Sequence, residues 1–209
     1  AAWARPRGVI FDLDGTLVDS FADIAAALNG TRAHYGLPPL PLEAVRAQVG
    51  GGSEALVQEL VPLPPEQRAE ALRSYLARYE ARVLRETRAF ADVPAVLEHF
   101  RGLPLAVVTN KDEHLARKLL AGLGLLERFA LVLGGDSLPR RKPDPLPVRH
   151  VLERFGLAPG ELLLVGDGRH DVSAGRAAGV RTVAVATGPE PRAVLEAGGP
   201  DAVIDRLSE

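Results

Sequence analysis

The sequence predicts an α/β fold: a doubly wound, Rossmann-like parallel sheet with a small α-helical cap inserted near its start. Three observations predict it. Short apolar runs rich in β-formers recur at 9–11, 105–108, 131–133, 162–165, 182–186 and 202–204. They are continuous rather than alternating with polar residues, as strands buried on both faces require. From Phe90 onward those runs alternate with helical patterns, the signature of parallel strands joined by crossover helices. Between Leu17 and about Glu86 no convincing strand occurs, and the segment reads as helices alone. The chain therefore divides into a core, residues 1–16 and 90–209, and a cap, residues 17–89.

The first run, Val9, Ile10 and Phe11, ends abruptly in Asp12 and Asp14, and Gly15 then turns the backbone. Two acids at this spacing lie on one side of an extended chain. Such like charges repel, and a proton or a cation relieves them. An Asp-Gly turn closing an ordinary strand is the plainer alternative. In the cap segment, Asp19 or Ser20 caps a helix carrying Phe21, Ile24, Ala25 and Leu28 that ends near Tyr35 and Gly36. Pro38, Pro39 and Pro41 form a stiff connection to a short helix, 42–49, which runs into Gly50, Gly51 and Gly52. Ser53 caps the next helix, 54–60, and Pro62, Pro64 and Pro65 interrupt again. From Glu66 to about Glu86, Ala69, Leu72, Leu76, Tyr79 and Val83 recur at helical spacing. Beyond Phe90, helices at about 93–101, 112–122, 145–155 and 172–178 precede the strands at 105–108, 131–133, 162–165 and 182–186. Residues 188–200 read as a loop around one short helix, before the last strand at 202–204.

Composition narrows the function classes. The 209 residues are 46% hydrophobic and 25% charged, with a formal net charge of -2, an ordinary globular balance. No basic excess suggests nucleic acid as a partner. No apolar stretch approaches the roughly 18 residues of a membrane span. The first eight residues carry no apolar signal core, so a cytoplasmic location is expected, as a monomer or homodimer. There are no cysteines, which excludes disulfides and thiolate metal sites and leaves oxygen or nitrogen as metal ligands.

The polar residues fall where chemistry would need them. One run ends in Asp12 and Asp14, another in Thr109, Asn110 and Lys111, another in Gly166, Asp167 and Gly168 with Asp171 close behind. Between the last two lies Arg140-Arg-Lys-Pro-Asp-Pro145, containing Lys142. In a parallel sheet the carboxyl ends of the strands share one edge, which is where ligands bind. Singly, each has a structural explanation: Thr109 or Asn110 as a helix cap, Lys142 as a solvated turn residue, Asp167 and Asp171 as turn and cap. The combination of acids, a hydroxyl, one lysine and further acids is harder to dismiss.

These residues resemble the four motifs of the haloacid dehalogenase-like hydrolase superfamily. Asp12-Leu-Asp-Gly-Thr16 matches the first, Thr109 the second, Lys142 the third and Gly166-Asp-Gly-Arg-His-Asp171 the fourth. Finer features resemble its phosphoglycolate phosphatase group: residues 11–20, the glycine run after Val49, Phe90-Ala-Asp-Val-Pro94, Val107-Val-Thr-Asn-Lys111 and Arg141-Lys-Pro-Asp-Pro145. Gly168 departs from the pattern, since many relatives carry Ser or another small polar residue there.

The resemblance implies a Mg²⁺-dependent phosphatase of carbohydrate metabolism acting on a small phosphorylated metabolite, 2-phosphoglycolate above others. Asp12 would attack phosphorus and become an aspartyl-phosphate. Asp14 would serve as general acid and base, and Thr109 and Asn110 would bind phosphoryl oxygens. Lys142 would offset negative charge. Mg²⁺ would be held by the Asp12 and Asp167 side chains and the Asp14 backbone carbonyl, with Asp171 supporting the site or ligating through water. The cap would close over the pocket, hinged near 17–20 and 86–90. Gly51, Gly52 and Ser53 would present backbone amides to the substrate carboxylate, with Lys111 as a second partner; a flexible joint between two helices is the alternative. Among the histidines, only His170 is expected near the chemistry. Competing readings are a phosphomutase of the β-phosphoglucomutase type, a phosphatase for another sugar phosphate, and a receiver-like signalling module.

Overall fold

A computed structural model describes residues 5–209. In chain order, strand β1 (Gly8–Phe11) leads into β2 (Val18–Asp19) and helices α1 (Phe21–His34), α2 (Leu42–Arg46), α3 (Ser53–Leu60) and α4 (Pro65–Glu80). After β3 (Arg88–Ala89) come α5 (Val93–His99), β4 (Leu105–Val108), α6 (Glu113–Gly122), β5 (Leu131–Leu133) and α7 (Leu146–Phe155). The chain ends with β6 (Leu162–Gly166), α8 (Arg169–Ala178), β7 (Arg181–Val185), α9 (Arg192–Ala197) and β8 (Ala202–Ile204).

The strands form a six-stranded sheet in the order β5-β4-β1-β6-β7-β8, parallel throughout. Every strand expected from the apolar runs is present. The alternation of side chains across the sheet explains why the runs are continuous. Val9, Phe11, Leu105, Val107, Leu163 and Val165 face one hydrophobic layer. Ile10, Ala106, Val108, Leu162 and Leu164 face the other, with residues of α7 and α8. Each fully buried aliphatic side chain contributes about 1.5–3 kcal/mol, so a polar residue on either face of β1 would be costly. The chain passes from β1 outward to β4 and β5 and then returns to the other side of β1. The order of strands therefore reverses beside β1, and such switch points open a crevice at the carboxyl edge.

Helices α1 to α4 lie between β1 and β4 in the chain, as expected. Two strands in this region were not foreseen: β2 and β3 pair antiparallel, Val18 with Ala89 and Asp19 with Arg88. Two residues each is too short for any periodicity to register. Both ends of the excursion meet at this ribbon, and Asp23 secures it from α1. Its buried carboxylate accepts hydrogen bonds from the Glu86 and Thr87 backbone N–H groups (2.8 and 2.9 Å) and the Thr87 hydroxyl (2.9 Å), and pairs with Arg82 at 3.2 Å. That clasp also explains why α4 stops at Glu80 rather than reaching Glu86.

Several local expectations are corrected. Ser20 stands at the N-cap of α1, but its hydroxyl donates to Asp14 instead of capping. Gly52, at φ +91°, holds the N-cap position of α3, and Ser53 is the first helical residue. Helix α2 ends at Arg46 and α8 begins at Arg169, three residues before the expected start. The buried stripe of α4 is Ala71, Tyr75 and Tyr79 rather than one beginning at Ala69, which is exposed. Among the described residues no helix is long and apolar enough to cross a membrane.

Candidate active site

The loops after β1, β4 and β6 deliver Asp12, Thr109 and Asp167 to one edge of the sheet, and the first turn of α8 adds Asp171. Lys142, from the loop between β5 and α7, binds the group together. Its ammonium donates to Asp171 Oδ1 at 2.5 Å and to the Val108 carbonyl at 2.6 Å, and lies 3.1 Å from Asp12 Oδ1. Three acceptors satisfy the three protons of a lysine, which is how this side chain tolerates 2% exposure. Asp12 Oδ1 also accepts the Leu13 N–H at 2.7 Å. No donor among the described residues is assigned to Asp12 Oδ2, which leaves that oxygen for another partner. Asp167 accepts the Thr16 hydroxyl at 2.6 Å. Glycines press against it: a Cβ on Gly15 (φ +84°) or on Gly188 would lie 2.4 or 1.8 Å from Asp167 Oδ2.

One carboxylate oxygen each from Asp12, Asp167 and Asp171 lies within 4.8 Å of the others. Two buried acids and the half-buried Asp12 face one lysine, so negative charge is in excess. Burial, then the neighbouring Asp171, raises Asp12 to about 7 in spite of Lys142. Burial and the charges of Asp12 and Asp171 push Asp167 well up. Burial alone would pull Lys142 down, but Asp12 and Asp171 outweigh it and hold it up. A divalent cation would relieve this excess, and the all-oxygen donor set suits a hard ion such as Mg²⁺.

Asp14 stands apart from the acid cluster by its side chain. Its Oδ1 accepts the Ser20 hydroxyl, and its Oδ2 pairs with Lys111 Nζ at 2.9 Å. Lys111, expected opposite a substrate carboxylate, is held in place by this pair. Its Nζ also lies 4.5 Å above the Tyr79 ring. Thr109 Oγ1 accepts the Lys111 N–H at 3.2 Å and keeps its own proton to donate. The Asn110 side chain behaves differently from the expectation. Its amide donates to Gly50 O and Lys142 O, both at 2.8 Å, so neither N–H remains for a phosphoryl oxygen. Neither Thr109 nor Asn110 caps α6.

Gly52 and Ser53 line the same cavity, but Gly51 does not. Gly51 faces Ala55, whose methyl would lie 3.1 Å from an added Cβ. The Ser53 hydroxyl donates to Asp112 Oδ2 at 2.5 Å. The Gly52 and Ser53 backbone N–H groups have no protein acceptor among the described residues. His170 lines the cavity as expected, its pKa lowered first by burial and then by Lys142 and Arg169. Tyr75 also lines the cavity and was missed, because the apolar stripe expected along α4 does not include it. The space open to water is about 50 Å³, on a measure by which one water needs roughly 10–15 Å³.

A strand-end nucleophile candidate, an acid cluster and a bridging lysine on this doubly wound sheet define a hydrolase class. The haloacid dehalogenase-like hydrolase family model matches residues 9–185, and the chain belongs to that family. Within it, the chain groups with proteins named phosphoglycolate phosphatase. It is 40% identical to the one from Chromobacterium violaceum, over 97% of this chain and 94% of the relative. It is also 40% identical to the one from Neisseria meningitidis, over 100% and 94%. Among solved structures, a predicted phosphoglycolate phosphatase from Haemophilus somnus superposes with a TM-score of 0.93 at 30% identity, covering 99% of this chain and 97% of that one.

Proposed function

We propose that this phosphoric monoester hydrolase uses Mg²⁺ and an aspartyl-phosphate on Asp12 to hydrolyse a small phosphorylated acid, 2-phosphoglycolate first among candidates. The observation that carries the reading is the Lys142 bridge between Asp12 and Asp171, with Asp167 beside it, at the carboxyl edge of the sheet. Asp12 Oδ1 is held by Leu13 and Lys142, which aims Oδ2 at phosphorus. Asp12, Asp167, Asp171 and the Asp14 carbonyl would hold the ion, which supplies charge neutralisation for an anionic phosphate meeting an anionic nucleophile.

Asp12 Oδ2 attacks phosphorus while Asp14 gives a proton to the departing alkoxide. Asp14 then takes a proton from the water that releases phosphate and restores Asp12. The Thr109 hydroxyl and the Asn110 backbone N–H bind phosphoryl oxygens, and Lys142 offsets the charge that develops there. The Gly52 and Ser53 N–H groups, at the start of α3, add donors for the rest of the substrate. Residues 17–89 act as a cap, swinging on the β2–β3 ribbon to admit substrate and exclude water. The names of the relatives support hydrolysis of phosphoglycolate over mutase chemistry.

A phosphate-release screen over small phosphorylated metabolites, with and without Mg²⁺, tests this reading. The expected result is Mg²⁺-dependent release with 2-phosphoglycolate preferred. An isomerised sugar phosphate as the main product, or equal turnover in chelator, would reject it.

A further inference from the structure

Besides the Gly52 and Ser53 backbone N–H groups, the cavity holds two side-chain donors that the phosphoryl chemistry does not use. One is the Lys111 ammonium, on a side chain 5% exposed. Of its three protons, Asp14 Oδ2 receives one at 2.9 Å. The Tyr79 face, 4.5 Å from Nζ to the ring centroid, receives another as a cation–π contact. No third acceptor is assigned among the described residues. The other donor is Tyr75, which is 2% exposed and lines the same cavity. Its hydroxyl makes no hydrogen bond with any described residue. Unlike the hydroxyls of Tyr35 and Tyr79, it is not among the unpartnered atoms sealed from solvent, so it opens on the cavity.

The two donors are held close and oriented. Tyr75 stacks on Tyr79, with centroids 5.9 Å apart and planes 7° from parallel, and that same Tyr79 ring carries Lys111. Burial raises the Tyr75 hydroxyl pKa, so the hydroxyl keeps its proton, and Lys111 is the charge that acts on it most strongly. A neutral phenol and an ammonium therefore face one cavity, one from α4 and one from the loop after β4. Two adjacent donors suit a two-oxygen acceptor carrying negative charge.

We propose that Tyr75 is a specificity-determining residue which, together with Lys111, receives the carboxylate of the substrate. This rests on the reading of the substrate as a small phosphorylated acid. Phosphate binds beside Asp12, and the carboxylate spans to Tyr75 and Lys111. Lys111 shares its charge between Asp14, 2.9 Å away, and the substrate carboxylate. A monoester lacking the carboxylate leaves both donors unpaired in the closed cavity, which penalises it.

The test compares wild type and Tyr75→Phe on 2-phosphoglycolate and on ethyl phosphate, which lacks only the acid. Phenylalanine preserves the stack on Tyr79, so the variant removes the hydroxyl alone. The ratio of kcat/KM between the two substrates is expected to fall about tenfold or more, mostly through KM, for loss of one hydrogen bond to a charged group. Inhibition by glycolate should weaken in parallel, while inhibition by inorganic phosphate keeps its strength. A wild-type preference for phosphoglycolate that survives the substitution would overturn the assignment of Tyr75. A wild type with no such preference would instead overturn the substrate reading beneath it.

Discussion

Replacing Lys142 by methionine removes the one positive charge that holds Asp12 and Asp171 together. The substitution keeps an unbranched chain of similar volume, so packing changes little. It deletes a 2.5 Å contact to Asp171, a 3.1 Å contact to Asp12 and a 2.6 Å contact to the Val108 carbonyl. Breaking a buried pair from one side costs about 3–5 kcal/mol, because the remaining charge stays buried. Asp12, already at about 7, relieves part of this by taking up a proton, which argues for about 3 kcal/mol. For a chain of this size 1 kcal/mol moves Tm by about 2–4 °C, so the expected drop in metal-free protein is roughly 6–12 °C. Added Mg²⁺ should recover part of that drop, since the ion addresses the same charge excess. Turnover with Mg²⁺ should fall by about 10²–10³, the usual cost of one preorganised electrostatic group. Thermal denaturation with and without Mg²⁺, alongside phosphate release, reads both effects. A variant with unchanged Tm and turnover within about tenfold of wild type would refute the reasoning.

Asp23→Asn should destabilise the protein by about 2–3 kcal/mol through loss of charge-assisted bonds to Glu86, Thr87 and Arg82; urea unfolding at pH 7 measures it. These donors hold Asp23 below its ordinary value of 3.8 despite burial. Its folded-state pKa is depressed, so its contribution is present above about pH 4 and is lost as pH falls through the lower folded value. The gap between wild type and Asp23→Asn should therefore narrow in acid, and a constant gap from pH 7 to pH 3 would contradict this. Gly188→Ala places a methyl 1.8 Å from Asp167 Oδ2, so the carboxylate must move. Mg²⁺ titration of activity should show at least a tenfold higher requirement, by the usual effect of disturbing a ligand's support. Gly168→Ser should be tolerated, because an added Cβ there meets nothing closer than 3.6 Å, and kcat within about threefold of wild type is expected.

The parts of the molecule legible in the sequence are those whose causes are local. The runs at 9–11, 105–108 and 162–165 announce buried parallel strands because both faces must be apolar, and a polar residue follows each within two positions. Asp12, Thr109, Lys142 and Asp167 could be gathered because strand ends of a parallel sheet share an edge. What was not legible depends on contacts between distant segments. The β2–β3 ribbon is too short to carry a pattern. The pairing of Lys111 with Asp14, and the commitment of the Asn110 amide to Gly50 and Lys142, follow from how loops cross in space. Ser20, at the N-cap of α1, and Ser53, the first residue of α3, each serve a nearby carboxylate instead of capping. Tyr75 was hidden because the stripe expected along α4, through Leu72 and Leu76, lies one residue, about 100°, from the buried one.

The central claim is that residues distant in sequence form a phosphoryl-transfer site in which Asp12 carries the phosphate. Rapid quenching of enzyme with 2-phosphoglycolate and Mg²⁺, followed by borohydride reduction and peptide mass spectrometry, tests it directly. Reduction of an acyl phosphate converts that aspartate to homoserine, and the account predicts the change at Asp12, with none in Asp12→Asn. Conversion at a different residue, or full turnover by Asp12→Asn, would contradict it.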